Sequence, residues 1–189
     1  MNEFLSEKVR NDAVMKVKTE KGKTAADIGA GEGFVTEGLL NAGLNVIAVE
    51  SSPEKLEFLK ERFGHLREVQ IVPSAPGKID IADESVDYVF AGMYLISTED
   101  PPAIIKEMRR VLKPGGKLAI TDLTGHSHDN LLKELGHRWP GFNMPDLYGW
   151  FVQAGMKEIS IEVLNQKCTY TDESGNSSTF GYFLAHGEK

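Results

Sequence analysis

The 189-residue sequence has a single cysteine, Cys168, and no apolar run long enough to cross a membrane. One cysteine excludes an internal disulfide and a multi-cysteine metal site. A membrane-spanning helix needs about 18 or more apolar residues in a row, and the charged start of the chain lacks the apolar region of a signal peptide. We therefore expect a cytoplasmic protein without a membrane span.

Basic residues are fewer than acidic residues. The 21 Lys and Arg residues face 28 Asp and Glu residues, which gives a formal net charge of −7. Because a nucleic acid backbone is bound mainly by basic side chains, this balance disfavours DNA or RNA as the main partner. The 41% of hydrophobic residues are enough for a sizeable core, and no linker-like tract divides the chain. We expect one domain over residues 1–189.

Strand-like and helix-like segments alternate through most of the chain. Short apolar runs predict strands at 24–29, 45–50, 69–72, 86–91 and 117–123. Segments with helical spacing lie between them, at 35–42, 53–63 and 101–112. Strands that alternate with helices form a parallel sheet that is covered on both faces. The predicted fold class is therefore α/β, with a doubly wound sheet.

Local signals mark the ends of two of these helices. Ser52 stands before Pro53, as an N-cap stands before a proline at the first helical position, and Gly64 follows as a stop signal. The run Pro114-Gly115-Gly116 is expected to end the next helix in the same way.

The two ends of the chain depart from the alternation. One helix from about Glu3 to Val17 is predicted before the first strand, and helices at 130–136 and 145–154 follow the fifth. Two further strand-like runs, 159–163 and 179–187, are separated by turn residues at 173–176. We expect these runs to pair antiparallel within 157–187, which completes a mostly parallel seven-stranded sheet with an antiparallel edge hairpin.

A glycine-rich loop, Asp27-Ile28-Gly29-Ala30-Gly31-Glu32-Gly33, follows the first predicted strand. Glycines let a ligand approach backbone N–H groups at a helix N-terminus. A dinucleotide fingerprint needs glycine where Phe34 stands, and a Walker loop needs lysine there, so both NAD(P) and nucleoside triphosphates are disfavoured. Glu50, at the end of the second strand, is placed to accept both hydroxyls of a ribose. Taken alone, the loop is also compatible with a purely structural turn.

Four motifs in order resemble the class I S-adenosylmethionine-dependent methyltransferases. DIGAGEG is similar to their first motif, VIAVESS to the ribose-binding second strand, VDYVFAGMYL to the fourth strand and VLKPGGKLAITDL to the fifth. The resemblance covers about residues 24–165 and is strongest to the group related to ubiquinone and menaquinone methyltransferases, methyltransferase domain type 11. It implies a Rossmann-like methyltransferase fold, S-adenosylmethionine as cofactor, S-adenosylhomocysteine as product, and no metal.

The resemblance also implies a cofactor site. Asp27 would order the loop and the amino group of the methionine moiety, while Glu50 would hold the ribose hydroxyls. Relatives usually carry an acid after the third strand that accepts from adenine, but Ala75 stands there, and Pro76 behind it has no N–H. Either Ser74 or a main-chain carbonyl replaces this acid, or the cofactor binds weakly. The other implied contacts are Gly29, Ala30, Gly31, Gly33, Ser51, Ala91, Gly92 and Met93.

Methyl transfer is an in-line displacement at an activated methyl group, so positioning can provide much of the acceleration and no protein nucleophile is required. The candidate catalytic residues are Tyr94 and His126, and the further acceptor-side candidates are Asp122, His128, His137 and Trp139. Imidazole titrates near neutral pH, so His126 is suited to take a proton from an acceptor; the alternative is a histidine that only hydrogen-bonds its loop. The three histidines lack a nearby carboxylate pattern, and we predict no metal site.

The acceptor is predicted to be a small molecule, and its identity and reacting atom stay open. The stretch Ala91 to Tyr94 lacks the D/N-P-P-Y/F motif of nucleic acid amino-methylases, and arsenite methylation needs more thiols than Cys168 alone. A second interpretation is a sensor or accessory protein that binds S-adenosylmethionine or S-adenosylhomocysteine without transferring a methyl group. It is motivated by Ala75-Pro76 and by the short amino-terminal segment, which leaves the site open or closed by a partner subunit, as in a homodimer.

Overall fold

A computed structural model of the protein describes residues 5–126, 136–171, 175 and 177–189. The strands are β1 (Thr24–Ile28), β2 (Asn45–Glu50), β3 (Val69–Pro73), β4 (Val86–Gly92), β5 (Leu112–Leu123), β6 (Lys157–Thr171) and β7 (Ser177–Glu188). The α-helices are α1 (Glu7–Lys16), α2 (Phe34–Asn41), α3 (Pro53–Phe63), α4 (Pro101–Val111) and α5 (Met144–Gln153). A short 3-10 turn, Leu95–Ser97, follows β4.

The seven strands form one sheet in the order β3-β2-β1-β4-β5-β7-β6. The pairs among β1 to β5 are parallel, whereas β7 runs antiparallel to both β5 and β6. The structure thus confirms the predicted α/β fold with an antiparallel edge hairpin. Because β1, β2 and β4 are neighbours with the same direction, their carboxyl ends meet at one edge of the sheet, where ligands bind in folds of this kind.

Capping residues fix the starts of α3 and α4. The Ser52 side chain accepts a hydrogen bond from the Lys55 N–H ahead of Pro53, and Gly64 follows as the C-cap, as predicted. Asp100 caps α4 in the same way through the Ala103 N–H. The apolar face of α4, which consists of Ile104, Ile105, Met108 and Val111, is fully buried against the sheet.

The approach to β5 differs from the prediction. The helix α4 ends at Val111, and β5 begins directly at Leu112, so Pro114-Gly115-Gly116 lies inside the strand instead of following the helix. Leu112 pairs with Val86 and Lys117 with Tyr88, so five residues of β5 are matched by two of β4. The positive φ of Gly115, 76°, helps to accommodate this bulge.

The two ends of the chain agree with the predictions as far as they are described. The helix α1 lies within the predicted range 3–17, and α5 corresponds to the predicted helix at 145–154. The helix predicted at 130–136 lies outside the described residues except for Gly136, and most of the turn at 173–176 lies outside them as well. Among the helices that are described, none has the length and apolarity that a membrane crossing requires.

Candidate functional site

A cavity of about 540 Å³ opens at the carboxyl ends of β1, β2 and β4. Gly29 from the glycine loop lines it on one side, and Glu50 and Ser51 from the end of β2 line the next. The loop after β3 and the segment after β4 complete the walls. The parallel direction of the strands therefore brings together the loops in which the sequence placed its cofactor contacts.

The glycine loop adopts a backbone that favours glycine. Gly29, Gly31 and Gly33 have φ angles of 71°, 58° and 86°. The N–H groups of Gly29 and Ala30 both donate to the Val49 carbonyl, at 2.9 and 3.0 Å, which ties the loop to β2. Gly33 is the N-cap of α2. The loop is thus held at the start of a helix, with Gly29 facing the cavity.

Asp27 lies under this loop and is almost completely buried. Its Oδ2 accepts a 2.6 Å hydrogen bond from the Thr36 hydroxyl, whereas its buried Oδ1 has no hydrogen-bond partner among the described residues. Burial raises the pKa of Asp27 to about 7; hydrogen bonds from Thr36 oppose this rise and the charge of Glu50 adds to it. A buried carboxylate oxygen that needs a donor suits a cationic amino group.

Glu50 is held at the tip of β2 by three main-chain donors. Its Oε2 accepts from the Gly31 N–H at 2.8 Å, and its Oε1 accepts from the N–H groups of Ser51 and Ser52 at 2.8 and 2.9 Å. The carboxylate is therefore fixed between the glycine loop and the start of α3. Oε2 accepts from only one of these donors, so it keeps acceptor capacity for the ribose on the cavity side.

The loop after β3 has no acidic residue at the position expected to face adenine. The Ser74 hydroxyl accepts from the Asp80 N–H at 2.8 Å, which leaves its own O–H as a donor. The Ala75 carbonyl accepts from the Lys78 N–H at 3.0 Å. Together with Ser51, these loop residues line a second pocket of only about 10 Å³ beside Glu50.

Tyr94 lies between this small pocket and the larger cavity and lines both. Its ring packs against Gly29, and its hydroxyl lies near the Gly77 N–H. Burial raises the pKa of the phenol, and the neighbouring charge of Glu50 raises it further. The structure thus brings this candidate catalytic residue into the site.

Asp122 acts through the main chain and is not among the described residues that line the cavity. It is fully buried and accepts hydrogen bonds from the N–H groups of Leu95, Ile96 and Leu123. Burial raises its pKa to about 7 while these hydrogen bonds oppose the rise. Its observed role is to hold the 3-10 turn that follows Tyr94.

The histidine candidates do not line the cavity among the described residues. The His126 N–H donates to Pro140, and its ring meets the ring of Phe180 edge to face, with centroids 4.7 Å apart. Burial and the nearby His126 lower the pKa of His137. Neither histidine is among the described lining residues. His128 lies outside the described residues.

Trp139 packs over the same turn from the other side. Its indole N–H donates to the Thr98 carbonyl at 2.9 Å, and its main-chain N–H donates to the Ile96 carbonyl at 3.2 Å. It therefore positions the wall of the cavity. Within the described part of the chain, no group of three or more His, Cys, Asp or Glu side chains is arranged to hold a metal ion.

At three of the implied cofactor contacts the side-chain direction points away from the cavity, which leaves the backbone for the predicted contact. Ala30 is buried in a small cluster with Leu59 and Phe63, and Ala91 belongs to the main core. A side chain at Gly92 would meet Leu5 and Val35 under α1. Met93, in contrast, lines the cavity with a positive φ of 54°.

Several residues that line the cavity were not predicted from the sequence: Lys55, Gly77, Ser97, Thr98, Glu99, Asp100, Ala103 and Arg138. Pro76 was considered only for its missing N–H, and it lines the cavity as well. One signal was available for most of them. Asp100 before Pro101 is a helix start just after β4, which places the preceding residues at the edge of the sheet where the site opens.

Residues 26–120 match the family model described as a methyltransferase domain. The chain belongs to this methyltransferase family. Its resemblance to class I S-adenosylmethionine-dependent methyltransferases is thereby confirmed. It is 33% identical over 148 residues to the biotin biosynthesis bifunctional protein BioHC of Cellvibrio japonicus, covering 78% of this chain and 28% of that protein. It is 35% identical over 123 residues to a demethylmenaquinone methyltransferase of Staphylococcus aureus, covering 63% and 51%.

Solved methyltransferase structures share the fold. Phosphoethanolamine N-methyltransferase 2 of Haemonchus contortus, in complex with S-adenosyl-L-methionine, superposes with a TM-score of 0.80 at 18% identity, over 100% of this chain and 54% of that one. A SAM-dependent methyltransferase from Aquifex aeolicus gives a TM-score of 0.68 at 20% identity, over 95% and 88%. The chain spans 28% and 51% of the length of the two curated relatives named above.

Proposed function

We propose that this methyltransferase-family chain transfers a methyl group from S-adenosylmethionine to a small-molecule acceptor by in-line displacement. The observation that carries the proposal is the pair of carboxylates around the glycine loop. Glu50 is fixed beside Gly31 at 2.8 Å, and buried Asp27 keeps one oxygen without a partner among the described residues. These groups match the ribose hydroxyls and the amino group of the cofactor.

The chain's own residues provide binding and orientation. Asp27 Oδ1 accepts from the amino group, and Glu50 accepts from the ribose hydroxyls, while the Gly29 backbone allows close approach. Bound S-adenosylmethionine supplies a methyl group that its sulfonium has already activated. Alignment of an acceptor with this methyl group then provides much of the acceleration, without a protein nucleophile.

The assignment of a general acid or base still rests on the sequence. Tyr94 lines the cavity and is the better placed of the two candidates, while His126 is not among the described lining residues. The pKa of Tyr94 is raised by burial, so this phenol is a hydrogen-bond donor at neutral pH rather than a general base. We therefore assign Tyr94 to contact with the reactants and keep His126 as the candidate base.

The acceptor class follows from the walls and the net charge. Ser97, Thr98, Glu99 and Arg138, which have polar side chains, line the cavity, and the chain carries −7 overall. These features support a small polar molecule better than a nucleic acid. A cytoplasmic location and a homodimer stay predictions from the sequence.

A sensor or accessory protein without transfer activity is the second candidate. Ala75 stands where an acid would contact adenine, and its carbonyl already accepts from the Lys78 N–H. A chain that only senses the cofactor would need no acceptor pocket of its own.

Calorimetry on the full chain tests both candidates. We expect S-adenosylmethionine and S-adenosylhomocysteine to bind, and the control ligands NADH and ATP to give no heat, because the glycine spacing suits neither. Absence of binding by both sulfur compounds rejects the enzyme. Binding without turnover over a panel of amine, hydroxyl, thiol and carboxylate acceptors favours the sensor.

A further inference from the structure

The ring of Tyr94 lies directly on the glycine loop. A methyl group added at Gly29 would lie 2.2 Å from Tyr94 Cδ2 and 2.9 Å from both Cε2 and Cγ. Real non-bonded carbons do not approach so closely, so only glycine at position 29 leaves room for this ring. The phenol is thus packed against the backbone to which the proposed function assigns the cofactor.

The far end of the same side chain reaches the loop after β3. The Tyr94 hydroxyl lies near the Gly77 N–H, and Glu50 is near enough for its charge to act on the phenol. The side chain therefore extends from the glycine loop towards the adenine-side loop, and it lines the same small pocket as Glu50.

The space left behind the ring is very small. Gly29, Glu50, Ser51, Ser74 and Tyr94 are among the residues that line a pocket of about 10 Å³, room for about one water molecule. On the outer side of the ring, the cavity, which Gly29, Glu50 and Gly77 also line, holds about 540 Å³. An adenosyl group cannot share the inner pocket with the phenol, but the outer cavity has room for the phenol itself.

We propose that the Tyr94 ring competes with the adenosyl part of S-adenosylmethionine for the space between Gly29 and Gly77, and acts as a gate to the cofactor site. The inference rests on the proposed function and goes beyond it. Because the ring packs on Gly29, an adenosyl group reaches this face of the glycine loop once the ring rotates outward, towards Ser97 and Ala103, which line the outer cavity.

The main chain around Tyr94 favours rotation of the side chain over opening of the loop. Asp122 holds the N–H groups of Leu95 and Ile96, and the Ile96 carbonyl accepts from the N–H groups of Arg138 and Trp139 at 2.8 and 3.2 Å. The backbone that follows Tyr94 is therefore fastened on both sides. A gate built on this backbone moves through the torsions of one side chain.

A ring that competes with the cofactor and a ring that packs on the bound cofactor predict opposite effects of the substitution Tyr94→Ala. If the gate is closed in about nine of ten molecules, the apparent affinity for the cofactor is reduced about tenfold. Tyr94→Ala should then bind S-adenosylhomocysteine about tenfold more tightly and faster than the original chain. If Tyr94 is only a wall that packs on the bound cofactor, the same substitution weakens binding.

The experiment compares the full chain with Tyr94→Ala, Tyr94→Phe and Tyr148→Ala. Tyr148 is 53% exposed on α5 and is not among the described lining residues, so it is the matched control. Calorimetry and stopped-flow binding of S-adenosylhomocysteine should give the tightest, fastest binding for Tyr94→Ala, with Tyr94→Phe between it and the original chain. Tyr148→Ala should match the original chain.

Unchanged or weaker binding by Tyr94→Ala overturns the gate. If no protein binds S-adenosylhomocysteine, the original chain included, the proposed function is rejected as well.

Fluorine NMR of the chain labelled with 3-fluorotyrosine gives a readout that needs no truncation of the side chain. The resonance of position 94, assigned by its loss in Tyr94→Phe, should shift when S-adenosylhomocysteine is added. An unmoved resonance at saturating ligand also overturns the gate.

Discussion

The carboxylate of Asp122 accepts a 3.1 Å hydrogen bond from the N–H of Ile96, which fastens the end of β5 to the turn that follows β4. Its other oxygen accepts from the Leu123 N–H at 2.8 Å. Because Tyr94 precedes this turn, Asp122 fixes the point from which the phenol reaches the cleft. A buried residue with no described contact to the cavity thus determines the geometry of the site.

Asp122→Asn should destabilise the protein by about 2 kcal/mol at pH above 7. The amide would place its NH2 group against a main-chain N–H donor at a buried position, where neither has an acceptor. Urea unfolding measures this loss. Asp100→Asn is the control, since Asp100 caps α4 at an exposed position and asparagine caps equally well. Equal losses in the two variants would contradict the role assigned to Asp122.

Asp27 predicts a pH dependence of cofactor affinity. Burial raises the pKa of Asp27 to about 7, so its carboxylate ionises on passing from about pH 6 to about pH 8. Only the ionised form attracts the cationic amino group fully. Calorimetry should therefore show S-adenosylhomocysteine binding more tightly as pH rises through this range, and Asp27→Asn should bind weakly at every pH. Parallel pH profiles for the two proteins would rule out this assignment.

Glu50→Ala should weaken binding of S-adenosylhomocysteine by about 1 to 3 kcal/mol, through loss of charge-assisted hydrogen bonds to the ribose. The same change also removes the acceptor of three main-chain N–H groups, so the melting temperature must be measured alongside the dissociation constant. Glu61→Ala, at an exposed position on α3, should change neither. An unchanged dissociation constant in a folded Glu50→Ala protein would refute the ribose role.

Local signals explain why most of the fold was predictable. Strand and helix periodicity, the Ser52-Pro53 cap and the glycine loop each depend on residues close together in the chain. The start of β5 was wrong by five residues because it depends on the pairing of Leu112 with Val86, which lie on different strands. No local pattern contains such a pairing.

The site was predictable to the level of its loops but not of its side chains. The parallel sheet brings Gly29 and Glu50 to one cavity, as their positions at strand ends indicated. That Ala91 points into the core, or that Tyr94 crosses to Gly77, depends on strand register and rotamer choice. These are properties of the packed molecule, and the sequence carries no short-range signal for them.

His186, on β7, predicts an acid-sensitive element of stability. Its buried Nε2 has no partner among the described residues, and burial lowers the pKa of the ring, helped by Lys16 and Lys117 and opposed by Glu162. Since the folded protein keeps this ring neutral, the unfolded chain binds the extra proton first, and stability falls as pH drops below about 6.5.

Urea unfolding at about pH 7.5 and about pH 5.5 tests this linkage. His186→Gln should lose less stability between these two values than the original chain does. His65→Gln, which changes an exposed histidine, should lose as much as the original chain. A His186→Gln profile identical to that of His65→Gln would remove His186 as the cause.

Gly33→Ala should destabilise the protein more than its backbone conformation alone explains. Gly33 has a φ of 86°, and an added Cβ would lie 2.2 Å from Phe63 Cε2 and 3.2 Å from Leu59 Cδ2, both on α3. Gly22 is the matched control, because its φ is 79° but an added Cβ would meet nothing within 4 Å. Gly22→Ala should cost only the left-handed strain, about 1 to 2 kcal/mol. Gly33→Ala should exceed it by about 1 to 3 kcal/mol, since α3 must move away from the loop. Equal losses in urea unfolding would mean that α3 adjusts freely, and that this glycine serves the backbone conformation and not the packing of the loop against the helix.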